Sequence, residues 1–321
     1  MAAAANPSSI RRPMKALVTG GAGFIGSNLV DALVARGDAV TALDNLSTGK
    51  RENLADAVHN GATLAEIDIR EAEAVSDVVV RLKPDVIFHL AAQIDVRKSV
   101  ADPAADARIN VEGTVNVLGA AQAHGVPRVV NTSTGGAIYG EAQQLPAPED
   151  HPSAPEAPYG LSKWCAEQYC EIFTRLHGLS TVSLRYGNVY GPRQDPLGEA
   201  GVIAIFCGKL LDGGMATIFG DGTQTRDYVY VDDVVEANLR AAESDTTGPV
   251  NIGLGKQKSV LDIVEVLKQH APDGFRPEHA PERPGEVQHI ALDATRAREE
   301  LGWQAKIELE EGLRLTLDSL R

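Results

Sequence analysis

The chain has 321 residues, a formal net charge of −14 at pH 7, 43% hydrophobic residues and 5% aromatic residues. This length provides ample material for one large domain or two closely packed ones. The acidic charge argues against a sequence-independent nucleic-acid binder and against a protein that binds anionic membranes. No stretch approaches the roughly 18 consecutive apolar residues of a membrane span, and three cysteines are too few for a disulfide framework.

The first thirteen residues differ from the rest of the chain. Residues 1–13 lack the apolar stretch of a secretory signal, although their Ala, Ser and Arg content without acids faintly resembles a transit peptide. We predict a disordered extension at 1–13. Cys165, Cys170 and Cys207 show no pairing pattern, which favours buried thiols and a reducing, cytoplasmic location.

Short apolar runs alternate with helix-sized segments from residue 14 to about residue 185. The runs are 15–19, 39–43, 63–69, 85–90, 128–134 and 181–185. Runs with so little polar alternation are typical of strands buried on both faces of a parallel sheet. Helices are predicted at 26–36 and 110–124, where Gly37 and Gly125 suit left-handed caps. The alternation predicts an α/β fold with a Rossmann-type doubly wound parallel sheet.

Beyond residue 185 the rhythm of strand and helix is broken. Short strands are predicted near 216–219 and 250–253, and helices near 232–243, 260–270 and 309–320. No second glycine-rich turn follows a strand in this region. We therefore predict a Rossmann domain at 14–185 and a smaller C-terminal α/β substrate lobe at 186–321, with interleaved boundaries.

A glycine-rich turn connects the first strand to the first helix. Gly20 permits a tight turn, Gly23 lets a pyrophosphate approach the backbone, and Gly26 lets the helix lie close to the strand. The helix N-terminus offers free N–H groups and the positive end of its dipole to phosphates. The next strand ends at Asp44, a position from which a carboxylate binds the adenosine ribose and repels a 2′-phosphate. The unit therefore predicts NAD rather than NADP.

Tyr159 and Lys163 lie one turn apart on one face of a predicted helix that ends near Gly178. A nearby ammonium favours the phenolate form of tyrosine. Lowering a phenol pKa from about 10 to near 7 corresponds to about 4 kcal/mol, which Lys163 and a positively charged nicotinamide could share. Hydroxyls at Ser133 and Thr134 end the preceding strand. This set predicts proton transfer coupled to hydride transfer.

Seven motifs together resemble the extended short-chain dehydrogenase/reductase superfamily and, within it, the nucleotide-sugar epimerases that include UDP-galactose 4-epimerase. The motifs are TGGAGFIG at 19–26, DNL at 44–46, HLAA at 89–92, YGLSK at 159–163, LRYGNVYGP at 184–192, RDYVYVDD at 226–233 and RPGE at 283–286. The resemblance runs from Met14 to the C-terminus. It implies an isomerase with tightly bound NAD that interconverts UDP-glucose and UDP-galactose through a transient 4-keto sugar.

The resemblance also implies a set of site residues. Tyr159 and Lys163 act with a strand-end hydroxyl, for which Thr134 aligns better and Ser133 stays an alternative. The implied cofactor-binding residues are Gly20, Gly23, Phe24, Ile25, Gly26, Asp44, Asn45, Ser47, Thr48, Gly49, Asp68, Ile69, Leu90, Ala91, Ala92, Gln93, Asn110, Tyr159, Lys163 and Tyr186. The implied substrate-binding residues are Thr134, Tyr159, Asn188, Arg226, Arg283 and Glu286.

Two glycines argue against elimination chemistry. Related sugar dehydratases and decarboxylases carry acids at the position of Gly135 and Gly136, and glycine can neither donate nor accept a proton. An epimerase of UDP-N-acetylglucosamine or UDP-glucuronate, a net dehydrogenase or dehydratase on the same scaffold, and a non-catalytic nucleotide sensor remain alternatives. By resemblance to the family, the position that controls acceptance of N-acetyl sugars falls near Ile290. Isoleucine there does not favour glucose, N-acetylglucosamine or uronate over the others.

The remaining features are weaker. The histidines show no metal-binding spacing, so no metal is predicted. Leu161, Cys165, Ile172 and Leu176 form a stripe on the Tyr159 helix that fits either core or a dimer interface. The resembled family dimerises through this helix, which implies a homodimer.

Overall fold

The computed structural model describes residues 12–196, 201–271, 274–282 and 287–321. The strands are β1 Lys15–Thr19, β2 Ala39–Asp44, β3 Thr63–Glu66, β4 Val86–His89, β5 Arg128–Thr134, β6 Ser180–Tyr186, β7 Asn188–Tyr190, β8 Thr217–Phe219, β9 Thr225–Arg226, β10 Tyr228–Tyr230, β11 Gly248–Ile252, β12 Lys258–Ser259 and β13 Glu278–Ala280.

The helices surround these strands. They are α1 Phe24–Ala35, α2 Ala55–His59, α3 Ala72–Leu82, α4 Val96–Ala101, α5 Pro103–Ala107, α6 Gly113–Ala123, α7 Gly135–Ile138, α8 Pro158–His177, α9 Val202–Asp212, α10 Val231–Glu243, α11 Val260–Gln269, α12 Thr295–Glu300 and α13 Leu309–Leu320. A 3-10 turn at Arg51–Leu54 precedes α2, and a π-helical turn at Arg108–Glu112 joins α5 to α6. None of the helices within the described ranges has the length and apolar character needed to cross a membrane.

Seven parallel strands form the central sheet in the order β11-β6-β5-β4-β1-β2-β3. The predicted doubly wound α/β sheet is confirmed. Leu17 and Val18 are neighbours in β1, and both are fully buried in core clusters on opposite faces of the sheet. Burial on both faces explains why the strands show no polar alternation.

Two helical layers cover the sheet. Leu29 and Leu33 of α1 and Val234 of α10 pack on one face, together with most of the residues after β6. Val79 of α3, Val117 of α6 and Cys170 of α8 pack on the other face. The helix that carries Tyr159 and Lys163 therefore packs directly against the sheet.

Several predicted boundaries differ from the structure. The run at 63–69 is strand only to Glu66, because the chain then turns with the Glu71 amide donating to the Asp68 carbonyl. The helix predicted at 26–36 begins at Phe24, and the one predicted at 110–124 begins with the π-helical turn. The strand predicted near 250–253 is β11, which pairs with β6 and completes the central sheet.

The carboxyl ends of β1, β2, β4 and β5 lie along one edge of the sheet. Thr19 pairs with both Leu43 and His89, and His89 pairs with Asn131. The strand order reverses between β1 and β4, and ligands of open α/β sheets bind at such a reversal. The predicted site residues follow these strand ends.

Candidate functional site

The glycine turn has the close contacts that its spacing predicts. Gly20 has φ +68°, and a Cβ there would lie 2.7 Å from the Ala91 amide nitrogen. A Cβ at Gly26 would lie 2.1 Å from the Gly20 carbonyl oxygen, so only glycine lets α1 approach the turn. No side chain caps the N-terminus of α1, which begins after Gly23. The turn therefore presents bare backbone and a helix dipole, as a dinucleotide diphosphate requires.

Asp44 ends β2 directly beside this turn. Its carboxylate accepts hydrogen bonds from the Ala22 amide at 3.0 Å and the Leu46 amide at 2.8 Å. A Cβ at Gly49 would lie 2.8 Å from Asp44 Oδ1, so the loop after β2 wraps closely around the carboxylate. These two bonds leave acceptor capacity for ribose hydroxyls.

The remaining predicted residues of the loops after β2 and β3 lie close together. Asn45 donates to Asp68 Oδ2 at 2.8 Å, and the side chain of Arg70 donates to both Asp68 oxygens. The hydrogen bonds from Arg70 hold the pKa of Asp68 well below its usual value. Ser47 and Thr48 are exposed on the same loop. Ile69 differs, because its side chain packs against Gly113 in the core and only its backbone can face a cofactor.

The segment after β4 is fixed to the π-helical turn. Leu90 and Ala91 pass beside Gly20, and Ala92 leads to Gln93. The Asn110 side chain accepts a hydrogen bond from the Gln93 backbone amide at 2.8 Å and donates one to the Gln93 backbone carbonyl at 2.9 Å. Sequence reasoning missed Asp106, a buried acid in α5 that accepts hydrogen bonds from both Gln93 and Asn110. Its position after Pro103 in a short helix carries no pattern that marks it.

Helix α8 places Tyr159 and Lys163 at the same edge. Pro158 occupies its first turn, and Gly178 ends it with φ +70°. Thr134, at the end of β5, is close enough to the Tyr159 phenol to lower its pKa. Ser133 is buried and its Oγ has no hydrogen-bond partner within the described part of the chain. Of the two candidate hydroxyls, the structure brings Thr134 to the tyrosine.

Burial dominates the protonation of the pair. Lys163 is 2% exposed, and burial lowers its pKa to about 8 against the opposing effects of Cys170, Glu167 and Asp106. Burial and the charge of Asp106 raise the pKa of Tyr159 to about 12, against a smaller lowering effect of Thr134. The predicted lowering of the phenol pKa is therefore not found in the protein alone.

A buried ion pair lies directly behind Lys163. Glu167, one turn further along α8, accepts from Arg185 Nε at 2.9 Å and from the Arg185 terminal nitrogen at 2.7 Å. Arg185 also donates to the Tyr139 hydroxyl at 2.8 Å, and Tyr139 donates to Asn251 of β11. Sequence reasoning missed this network, because the partner of Glu167 lies in a different element.

His89 has the structural role expected of a buried core group. Its Nδ1 lies 2.8 Å from Thr19 Oγ1 and its Nε2 lies 3.0 Å from Thr114 Oγ1. Burial, with a smaller contribution from the charge of Lys163, lowers the pKa of His89 to about 3. The imidazole is neutral and fixes β4 between β1 and α6.

Of the predicted substrate residues, Asn188 lies near Thr134. A Cβ at Gly136 would lie 3.4 Å from Asn188 Oδ1 and 3.8 Å from Thr134 Oγ1, so Gly136 separates these two side chains. The half-buried Arg226 donates to the carbonyls of Thr225 and Gln288. Arg283 and Glu286 lie outside the described residues.

Two other positions differ from their expected surroundings. Tyr186 pairs with Thr134 in the sheet, but its side chain is buried and its hydroxyl accepts from Asn238, so only its backbone is available to a cofactor. Ile290 is buried against Tyr139 and Leu292.

The three cysteines are unpaired, and Cys165 is only half-buried rather than buried as predicted. Within the described ranges, no group of three or more metal-ligating side chains is assembled.

Comparison with known proteins agrees with this geometry. The model of the NAD dependent epimerase/dehydratase family matches residues 16–253. A UDP-glucose 4-epimerase from Mycolicibacterium smegmatis is 46% identical, with 96% of this chain and 99% of that protein covered.

Two solved structures are also similar. The UDP-glucose 4-epimerase of Thermotoga maritima with UDP-glucose has a TM-score of 0.93 at 47% identity, covering 96% of this chain and 99% of that one. The UDP-glucose 4-epimerase of Thermus thermophilus in complex with NAD has a TM-score of 0.89 at 43% identity, with the same coverage.

Proposed function

Because the chain belongs to the NAD-dependent epimerase/dehydratase family, we propose that it is a nucleotide-sugar 4-epimerase that interconverts UDP-glucose and UDP-galactose. The observation that carries the proposal is that β5 and α8 meet at the sheet edge, where Thr134 interacts with the Tyr159 phenol and Lys163 is buried one turn along α8. The 4-epimerases described above, similar over nearly their whole length, support the same activity.

The cofactor is NAD, and the residues at the sheet edge fit it. The diphosphate belongs at the glycine turn and the uncapped start of α1, and the adenosine ribose at Asp44. The nicotinamide end belongs beside Ala91, Lys163 and Tyr159. When bound, NAD supplies the oxidation and re-reduction of sugar carbon 4.

The side chains of the chain itself handle the proton. Tyr159 takes the proton of the 4-hydroxyl during oxidation and returns it during reduction, while Thr134 holds the 4-oxygen by a hydrogen bond. Lys163, as an ammonium, stabilises the phenolate. Because the pKa of Tyr159 is about 12 in the protein alone, the phenolate forms only when further positive charge enters the site.

The nucleotide is anchored away from the reacting carbon. We assign this role to Asn188, Arg226, Arg283 and Glu286 of a substrate lobe at 186–321, with the Rossmann domain at 14–185 holding NAD. A guanidinium suits a diphosphate because its donors form a planar fork. Anchoring through the diphosphate lets the sugar rotate and present its other face for reduction.

Glycine at 135 and 136 favours epimerisation over elimination. The space between Thr134 and Asn188 contains no acid from this segment that could expel water from the sugar. Oxidation at sugar carbon 4 is therefore followed by re-reduction of the same carbon and not by loss of water.

The test is to incubate the protein with UDP-galactose and no added cofactor, and to measure UDP-glucose. We expect product from the wild type and a kcat about 10²- to 10⁴-fold lower for Tyr159→Phe. Tyr169→Phe is the matched control, since Tyr169 lies exposed on the same helix. Equal activity in Tyr159→Phe and wild type would contradict the mechanism, and an NADH absorbance that grows when NAD is added would indicate a net dehydrogenase.

We also propose a homodimer that works in the cytoplasm. Leu161, Ile172 and Leu176 of α8 and Val96 and Val100 of α4 are exposed on neighbouring helices, so the α8 stripe lies outside the core of a single chain. A second copy would cover this apolar surface. The three unpaired cysteines fit a reducing compartment.

A further inference from the structure

Asp106 is a buried carboxylate close to the Tyr159–Lys163 pair. It lies in α5, which packs against α8, and it is 1% exposed. Its Oδ1 accepts hydrogen bonds from the side-chain amides of Gln93 at 2.8 Å and Asn110 at 3.0 Å. Both donors are neutral, so hydrogen bonding does not neutralise its charge.

The second oxygen of this carboxylate is unpartnered. Asp106 Oδ2 is buried and has no hydrogen-bond partner among the described residues. Burying an ionised carboxylate without a compensating charge is strongly unfavourable. A positively charged side chain nearby would therefore stabilise this carboxylate.

Lys163 is a buried cation that requires a negative charge nearby. The acidic groups that act on it are Cys170 and Glu167 on α8 and Asp106 on α5. Burial raises the pKa of the Cys170 thiol to about 12, so this group is neutral at pH 7. The charge of Glu167 is balanced by Arg185, which donates three hydrogen bonds to it. The neighbour from β4, His89, is neutral as well.

We propose that Asp106 is the buried counter-ion of Lys163, and that its negative charge keeps this side chain an ammonium in the catalytic site. Asp106 acts through Lys163, as a positioning residue that does not itself touch the sugar. The catalytic part of this inference rests on the proposed epimerase function, whereas the charge pairing does not.

The negative charge of Asp106 raises the pKa of both Lys163 and Tyr159. Protonation of Lys163 helps catalysis, whereas protonation of Tyr159 opposes formation of the phenolate. Removing the charge should therefore lower the pKa of both groups together. A purely structural role, holding Gln93 and Asn110 in place, would move neither.

The first test is the titration of Lys163 by NMR in cofactor-free protein labelled with ¹³C at lysine Cε, where Lys163→Met identifies the signal. We expect a wild-type midpoint at about 8 and a fall of roughly 1 pH unit in Asp106→Asn, which keeps an acceptor for the amide groups. Asp102→Asn is the matched control. Asp102 is the exposed cap at the start of α5, and this substitution removes the same charge there.

An unchanged Lys163 midpoint in Asp106→Asn would overturn the proposal. Asp106→Ser removes the same charge with a smaller side chain and is interpreted in the same way if the asparagine variant does not fold. Asp106→Glu restores the charge and should return the midpoint towards that of the wild type.

The second test is the pH profile of kcat for UDP-galactose epimerisation. We expect both the rising limb, set by Tyr159, and the falling limb, set by Lys163, to move to lower pH in Asp106→Asn but not in Asp102→Asn. A uniform loss of kcat with unmoved limbs would indicate a structural role only. Absence of epimerase activity in the wild type would refute the proposed function and leave the NMR result to decide the charge pairing.

Discussion

Ser133 and Thr134 are adjacent in β5, and their side chains therefore leave opposite faces of the strand. Ser133 is buried without a hydrogen-bond partner in the described structure, whereas Thr134 interacts with the Tyr159 phenol. Under the proposed mechanism, Thr134 is therefore the hydroxyl that holds the substrate oxygen, and Ser133 is not.

This difference predicts opposite results for two similar substitutions. Thr134→Val keeps the shape of the side chain but removes its hydroxyl, and we expect kcat to fall about 10²-fold. Ser133→Ala removes a buried, unpartnered hydroxyl, and we expect kcat to stay unchanged and the free energy of unfolding to change by about 1 kcal/mol or less. Steady-state kinetics and urea unfolding measure both, and a larger kcat loss for Ser133→Ala would reverse the assignment.

At the scale of one element, α1 shows why Gly26 cannot be exchanged for another residue. Its backbone approaches the turn after β1 so closely that a Cβ at Gly26 would overlap the Gly20 carbonyl oxygen. The contact is between backbone atoms, so no side chain can move aside to relieve it. The distance between the start of α1 and the end of β1 therefore depends on this glycine.

Gly26→Ala and Gly119→Ala make a matched pair, because both residues lie in helices. We expect Gly26→Ala to lower the free energy of unfolding by about 1–3 kcal/mol through overpacking and to reduce the NAD content of the purified protein. Nothing lies within 4 Å of a Cβ at Gly119, so alanine there should stabilise α6 by about 0.5–1 kcal/mol. Thermal unfolding and the absorbance of released cofactor measure the two effects, and equal behaviour of both variants would contradict the close approach.

At the scale of the whole molecule, the exposed apolar residues are concentrated on α4 and α8. Leu176 is 66% exposed and Val100 is 62% exposed, and these helices also contact the segment that carries Asp106. The proposed dimer interface thus adjoins the layer that holds Tyr159 and Lys163.

We expect the double variant Leu176→Asp/Val100→Asp to sediment as a monomer where the wild type sediments as a dimer, because buried charges oppose association. Val58→Asp, at an exposed apolar position on α2, is the control and should leave the sedimentation coefficient unchanged. A monomeric wild type would refute the proposed dimer.

The sequence by itself determined the features that depend on neighbouring residues. The strand–turn–helix unit around Gly20, Gly23 and Gly26, the four-residue spacing of Tyr159 and Lys163, and the cap at Gly178 are local patterns. They follow from backbone geometry and helical periodicity, which act over a few residues. The doubly wound sheet was predicted for the same reason, since each buried strand shows its own apolar run.

Only the tertiary structure decided the features that depend on distant residues. It brought β11 from beyond residue 247 into the central sheet, paired Glu167 with Arg185, and packed the helix of Asp106 against the helix of Lys163. It also shifted the pKa of Tyr159 upward rather than downward. Burial and charge act through space, so the partners of a buried ionised group are not encoded near it in the chain.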